Sequence, residues 1–291
     1  MKAAGLKTTS FWTALTRPVP TWPDPLLVTR KSRPYEILCR TFAAFLVVVG
    51  CWVAPFAEDV HAQQPLRIGI IGTGNVGGAL ARHWAAAGHE LVVSSRHPEE
   101  LEALAAELGP RVRAALPREA AVFGEVVLVA VPYVALPQIA SDFKQELTGK
   151  VVVDTGNPFE YRDGAVAADA LRRGTGRASA EYFETARLVR AFNATSAGTL
   201  RTQAFREPER IAVPIAGDDP AAVAVARRLV RDAGFEPVLV GSLDQAREFD
   251  PGGPLYRDDL SASEMEAFVA SLERCWSWVA NISTRLCTWL F

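Results

Sequence analysis

Three glycines constrain this chain more than any other feature. Leu66 to Ile71 is a short apolar run rich in β-branched residues. Gly72, Gly74 and Gly77 follow it at once with the spacing Gly-x-Gly-x-x-Gly, and Gly78 to Gly88 then reads as a helix closed by a glycine. Strand, glycine turn and helix in that order form the context in which this spacing means a dinucleotide cradle. Gly72 permits the tight turn out of the strand, Gly74 lets a pyrophosphate approach the backbone, and Gly77 lets the helix pack on the strand. The free N–H groups around Asn75 and Val76, aided by the helix dipole, point at the phosphates. Thr73 lies within the same turn. The pattern predicts a parallel βαβ unit.

The next predicted strand, Glu90 to His97, ends in Ser94, Ser95 and Arg96. A carboxylate at that place bonds the ribose 2′-hydroxyl of NAD and would repel a 2′-phosphate. Arg96 instead offers a planar fork of donors, and a serine hydroxyl adds another. These three residues therefore point to NADPH.

Further along, Glu125 to Pro132 and Lys150 to Pro158 are nearly continuous apolar strands, as expected of a buried parallel sheet. Leu188 to Asn193, Arg210 to Gly217 and Phe235 to Gly241 are also predicted strands. Helices are predicted over 98–108, 133–147 and 219–234, the last with Asp219 as N-cap and Pro220 as first helical residue. The alternation implies an α/β fold of Rossmann type, a doubly wound and mostly parallel sheet with flanking helices. Ligands of such sheets bind beyond the carboxyl ends of the strands. That nominates Val131 and Pro132, then Asn157 and Pro158, on the cofactor side, and Asn193, Ala194, Thr195 and Ser196 on the acceptor side. Asp154 reads either as a catalytic carboxylate or as a cap of the following turn. Asp250 to Tyr256 reads as a rigid loop that covers a second ligand or only connects.

The chain has 291 residues and a net charge of −2, which gives no sign of a nucleic-acid partner. Cys39, Cys51, Cys275 and Cys287 form no metal-ligand spacing, so no metal is expected. Residues 1–62 read as an N-terminal extension outside the fold. Within it, the basic residues Arg30, Lys31, Arg33 and Arg40 precede 41–62, which carries a short apolar core and a small-residue end; together these are the parts of a secretory signal. Cleavage after Ala62, acylation of Cys51, and a retained membrane anchor through 41–56 all remain open, as does a true start further downstream. The corresponding locations are the periplasm or another exported compartment, a membrane, or the cytoplasm. Residues 63–256 are expected to form the NADP-binding domain with its acceptor-side strands. Residues 257–291 are expected to form a short helical tail, with Ser261 and Glu264 as a capping box and an aromatic end that packs on the domain, pairs two subunits in a homodimer, or touches a membrane.

At Gly72 to Gly77, Ser94 to Arg96, Ala130 to Tyr133 and Arg190 to Asn193 the chain resembles the NADPH-dependent coenzyme F420 reductase family, a relative of the N-terminal domain of pyrroline-5-carboxylate reductase. The resemblance spans about residues 66–256. It implies hydride transfer between NADPH and the deazaflavin F420, NADP contacts at Thr73 to Val76 and at Ser95 and Arg96, a nicotinamide side lined by Val131 and Pro132, and an acceptor near the loop after Asn193. This chain carries Glu99 and Glu100 where archaeal members tend to have a basic residue, and Asn193 and Ser196 where they tend to have His and Pro.

The residue inventory points the same way. Reducing a carbonyl or imine calls for a proton donor beside the hydride, commonly His, Lys or Tyr. No His follows His97 and no Lys follows Lys150. A deazaflavin accepts hydride at carbon and exchanges its proton with solvent, so the protein need only orient two flat rings. No catalytic side chain is assigned. The alternatives are an NADPH-binding sensor without turnover and a reductase of another flavin or of a metal acceptor.

Overall fold

The computed structural model describes residues 64–272 and 274. The signal-like segment, Cys39, Cys51, Cys275, Cys287 and the aromatic tail lie outside the described residues. In chain order the elements are β1 (Arg67–Ile71), α1 (Asn75–Ala86), β2 (Glu90–Ser94), α2 (Glu102–Leu108), β3 (Val112–Ala115), α3 (Pro117–Phe123), β4 (Val126–Val129), α4 (Leu136–Asp142), α5 (Lys144–Leu147), β5 (Val151–Asp154), α6 (Glu160–Arg173), α7 (Thr175–Tyr182), β6 (Arg187–Ala191), α8 (Ala197–Thr202), β7 (Ala212–Gly217), α9 (Pro220–Asp232) and β8 (Glu236–Gly241). A 3-10 run, Leu243–Phe249, follows β8.

The strands form one eight-stranded sheet in the order β3-β2-β1-β4-β5-β6-β7-β8. Neighbours pair in parallel except β6 and β7, which are antiparallel. The chain winds outward from β1 to β3, then crosses back to β4 on the other side of β1. The gap between the carboxyl ends of β1 and β4 is therefore the topological switch point.

The apolar strands explain the layering. Every residue of β4 and β5 is buried, and alternate side chains enter opposite faces. Val126, Leu128, Val151 and Val153 join the core under α1 and α9, whereas Val127, Val129 and Val152 join the core under α4 and α7. Trp84 ties α1 to α9 by donating to the Leu229 carbonyl at 2.8 Å, and its ring meets Phe192 edge-on at 6.0 Å. Asp219 caps α9, accepting from the N–H groups of Ala221 and Ala222. Ser261 and Glu264 form the reciprocal capping contacts at the start of a helix over 262–272.

Several boundaries differ from the sequence expectation. Helix α1 begins at Asn75, three residues early, because Gly74 is its N-cap. The second strand stops at Ser94, so Ser95 and Arg96 sit on the loop beyond the sheet. The predicted helix over 133–147 breaks into a 3-10 turn, α4 and α5 around Phe143, whose φ and ψ of −115° and 22° are not helical. Strand β3 and helices α3, α6, α7 and α8 are additions.

His89 pins the start of β1 to the end of α9. Its Nδ1 accepts from the Leu66 N–H at 3.0 Å, and its Nε2 donates to Asp232 at 3.0 Å. Burial lowers the imidazole pKa below its ordinary value, against the opposing pull of Asp232. A depressed histidine pKa gives a stability contribution that is full above the unfolded value of about 6.5 and is lost as pH falls from there through the folded value. Between pH 7 and 5 the melting temperature of the wild type should therefore drop more steeply than that of His89→Gln, measured by circular dichroism in matched buffers. Parallel slopes would remove His89 from the pH response.

Candidate functional site

The loops at the carboxyl ends of β1, β2, β4, β5 and β6 share one edge of the sheet, and a chain of contacts joins them. At the switch point Gly72 has φ +93°, and a Cβ there would lie 2.6 Å from the Ala130 carbonyl oxygen. A Cβ on Gly77 would lie 2.2 Å from the Gly72 carbonyl oxygen. Both glycines are thus required by the protein's own backbone. Gly74 is different: a Cβ there would meet nothing within 4 Å. It is an exposed residue that leaves open space above the first turn of α1.

That turn is ready for an anion. Gly74 supplies no side-chain cap, no acidic residue lies in the first turn, and the first internal bond is Gly78 N–H to the Gly74 carbonyl at 2.8 Å. The N–H groups of Asn75, Val76 and Gly77 therefore face outward without an intrahelical partner. A pyrophosphate fits this cradle on both counts, open volume and unspent donors.

Thr73 couples the cradle to the end of β2. Its N–H and hydroxyl both reach the Ser94 carbonyl, at 3.1 Å each, and its Oγ1 accepts from the Ser94 N–H at 3.0 Å. The Ser94 side chain is buried and donates to the Ile70 carbonyl at 2.7 Å, so its hydroxyl braces β2 against β1. Ser95 Oγ accepts from the His97 N–H at 2.9 Å. Arg96 is exposed, and Glu99, the nearest acidic neighbour in sequence, is held by His97 at 3.4 Å. Arg96 itself stands on the loop that follows β2.

On the other side of the switch point, Val131 Cγ1 lies 2.7 Å from the virtual Cβ of Gly72, next to the exposed Pro132. Gly156 packs close to the Tyr133 ring. Asn157 donates to the Asn193 carbonyl at 2.7 Å, and Asn193 Nδ2 donates to Asn157 Oδ1 at 3.2 Å and to the Phe249 carbonyl at 3.0 Å. The predicted cofactor-side residue Asn157 and the acceptor-side residue Asn193 therefore touch. Asn193, Ala194 and Thr195 are buried, while half-buried Ser196 caps α8 by accepting from the Thr199 N–H at 3.0 Å. Phe192, with φ 63°, makes the left-handed turn that sends Asn193 toward Asn157. Asn193 Oδ1 is a buried acceptor without a partner.

Beneath this pair lies an ionic cluster that a reading of the sequence missed. Arg190, fully buried in β6, donates to Asp154 at 2.7 Å, to Asp250 at 2.8 Å and to the Gly156 carbonyl at 2.8 Å. Burial works against its charge, but Asp154 and Asp250 raise its pKa above the ordinary value, so it stays a cation. Asp154 has both oxygens engaged, the second by the Gly156 N–H at 2.7 Å, and is sealed from solvent. It positions the loop after β5. Asp250 also accepts from Thr175, and Arg257 N–H reaches the Ala194 carbonyl at 3.0 Å. The loop from Asp250 to Arg257 thus packs over Asn193 and Ala194. Tyr133 is enclosed too, with its hydroxyl 3.0 Å from Ser179 and its pKa raised by burial. The signal for the cluster was present: one arginine inside an apolar strand requires buried carboxylates.

Residues 67–158 match the family model described as NADP oxidoreductase, coenzyme F420-dependent. The metalloreductase STEAP3 of Rattus norvegicus is 32% identical over 199 residues, which cover 66% of this chain but only 37% of that protein. The F420-dependent NADP reductase of Methanothermobacter thermautotrophicus is 28% identical over 207 residues, covering 65% of this chain and 87% of that protein. Among solved structures, the protein SMa0349 of Sinorhizobium meliloti superposes with a TM-score of 0.60 at 27% identity, over 68% of this chain and 95% of that one.

Two outcomes follow from the geometry. Gly77→Ala should lower the melting temperature, because the clash is with backbone, whereas Gly74→Ala should melt like wild type yet bind NADPH at least about tenfold more weakly, the equivalent of one charge-assisted hydrogen bond. Arg190→Met should cost about 3–5 kcal/mol in urea denaturation, since it strands two buried carboxylates; a loss under about 1 kcal/mol would mean that the cluster carries little of the fold.

Proposed function

From the match of residues 67–158 to the model of the coenzyme F420-dependent NADP oxidoreductases, we infer an enzyme that moves hydride between NADPH and a flat heteroaromatic acceptor of the deazaflavin type. The observation that carries this reading is the combination of an open, uncapped phosphate cradle at Gly74 with the unspent guanidinium of Arg96. In this reading Asn75 to Gly77 hold the pyrophosphate through backbone N–H groups, and Arg96 takes the 2′-phosphate. Thr73 and Ser94 keep the cradle and the end of β2 in register, and Val131 and Pro132 form an apolar wall beside the reacting end. NADPH, when bound, supplies the hydride. The balance is NADPH plus acceptor plus one proton giving NADP+ and the two-electron-reduced acceptor.

The deazaflavin is favoured over a carbonyl or imine by the chemistry of the site. Asp154, which ends β5, and Tyr133, in the turn after β4, are enclosed and committed to partners within the protein. An acceptor that takes its proton from water has no need of them. A second reading, a reductase whose electrons pass to a metal, draws on the 32% identity to rat STEAP3. The chain spans 37% of the length of that protein, so this reading enters as an arm of the test.

The test is steady-state turnover of the purified chain with NADPH and NADH, using F420, FMN and a ferric chelate as acceptors. NADPH-selective reduction of F420 is the expected result; reduction of the ferric chelate alone would favour the second reading, and tight NADPH binding without turnover would make the protein a sensor. Arg96→Ala should raise the KM for NADPH by about one to two orders of magnitude while leaving that for NADH nearly unchanged. Equal effects on both cofactors would remove Arg96 from the 2′-phosphate.

A further inference from the structure

The segment after β5 does more than present Asn157. Phe159 and Tyr161 stack, with ring centroids 5.5 Å apart and planes 28° apart. Tyr161 is 87% exposed, more than any other large hydrophobic side chain among the described residues. The turn that carries it is set off from the rest of α6 by Gly164, whose φ of 56° and ψ of −134° break the helix. The Arg162 guanidinium lies 5.2 Å from the Phe159 ring centroid.

This turn is held firmly. The buried carboxylate of Asp163 accepts from the Phe159 N–H at 3.0 Å, the Val134 N–H at 3.3 Å, and Arg162 Nε and Nη2 at 2.9 and 2.7 Å. Arg162 Nη2 also donates to the Asn157 carbonyl at 2.7 Å. Asp163 has its pKa lowered: burial opposes this, but the bonds from Arg162, Phe159 and Val134 outweigh it. The aromatic pair is thereby fixed to both loops at the hydride end of the site, 131–134 and 155–158. Val134 and Pro132 are exposed beside it.

A buried carboxylate with four incoming hydrogen bonds thus supports a ring that is left in solvent. Such a ring gains most from another flat π-system, which stacks on it and excludes water from both faces. We propose that Phe159 and Tyr161 form the stacking platform for the planar heteroaromatic ring of the acceptor, of the flavin or deazaflavin class. This rests on the hydride-transfer reading above and names the part of the protein that selects the acceptor. A compact keto acid, imine or ferric chelate offers no comparable face.

The test is direct binding of two probes, F420 and FMN, to the full chain in the presence of NADP+, followed by quenching of the probe's fluorescence, for wild type, Tyr161→Ala and Tyr161→Phe. NADP+ binding to each protein is measured in parallel by calorimetry. Tyr161→Ala should weaken the better-bound probe about tenfold, within the range found for base–aromatic stacking. Tyr161→Phe should stay within about twofold, because the ring and not the hydroxyl does the stacking. NADP+ affinity and melting temperature should not change, since the ring is exposed. Equal probe affinity in wild type and Tyr161→Ala would overturn the proposal, and so would failure of both probes to bind wild type. Loss of NADP+ binding in wild type would instead strike the cofactor reading, so the two failures are told apart.

Discussion

Arg190 carries a full charge in the buried part of β6, among Leu188, Val189 and Ala191, and the way that charge is neutralised organises the acceptor half of the molecule. Its partners come from three parts of the chain: Asp154 at the end of β5, the Gly156 carbonyl in the loop beyond, and Asp250 after the last strand. A guanidinium without them would be ruinous in this interior, and with them it fixes their relative positions. The Asn157–Asn193 pair sits on top of this cluster. The core cluster therefore braces the rim from below, and the loop contacts of Asn157 and Asn193 complete it.

The cofactor half is organised differently. There backbone sterics decide: Gly72 and Gly77 are glycines because carbonyl oxygens occupy the space a Cβ would need. On this side Arg96 lies exposed to solvent, while on the acceptor side Arg190 is spent inside the protein.

This contrast explains how much was legible in the sequence. The glycine turn, the buried strands β4 and β5, the cap at Asp219 and the serine-arginine end of β2 are local signals, written within a few consecutive residues. The partners of Arg190 lie 36 and 60 positions away, and no local pattern pairs them. Helix α7 was hidden for a related reason. Gly176 reads as a helix breaker, yet it stands inside the helix because a Cβ there would lie 2.0 Å from the Leu243 carbonyl oxygen. Strand β3 is four residues long with a half-buried pattern, too short for its period to show. The aromatic turn at 159–163 was missed because its anchor, Asp163, acts through Val134 on another loop.

The reversal of direction between β6 and β7 has a mechanical consequence. It turns the carboxyl ends of β7 and β8 away from the site, so the chain must travel back across the sheet to bring Asp250 to Arg190. The 3-10 run Leu243–Phe249 makes that journey, from Leu243 N–H bonded to Asp218 at 3.0 Å on the far edge to the Phe249 carbonyl under Asn193. At a rise of about 2 Å per residue, seven residues cover about 14 Å, close to the height of a four-residue strand. The run acts as a ruler. Adding or deleting one residue would shift its end by about 2 Å, enough to part a carboxylate from its guanidinium, so here the spacing matters more than the identity of the residues that keep it.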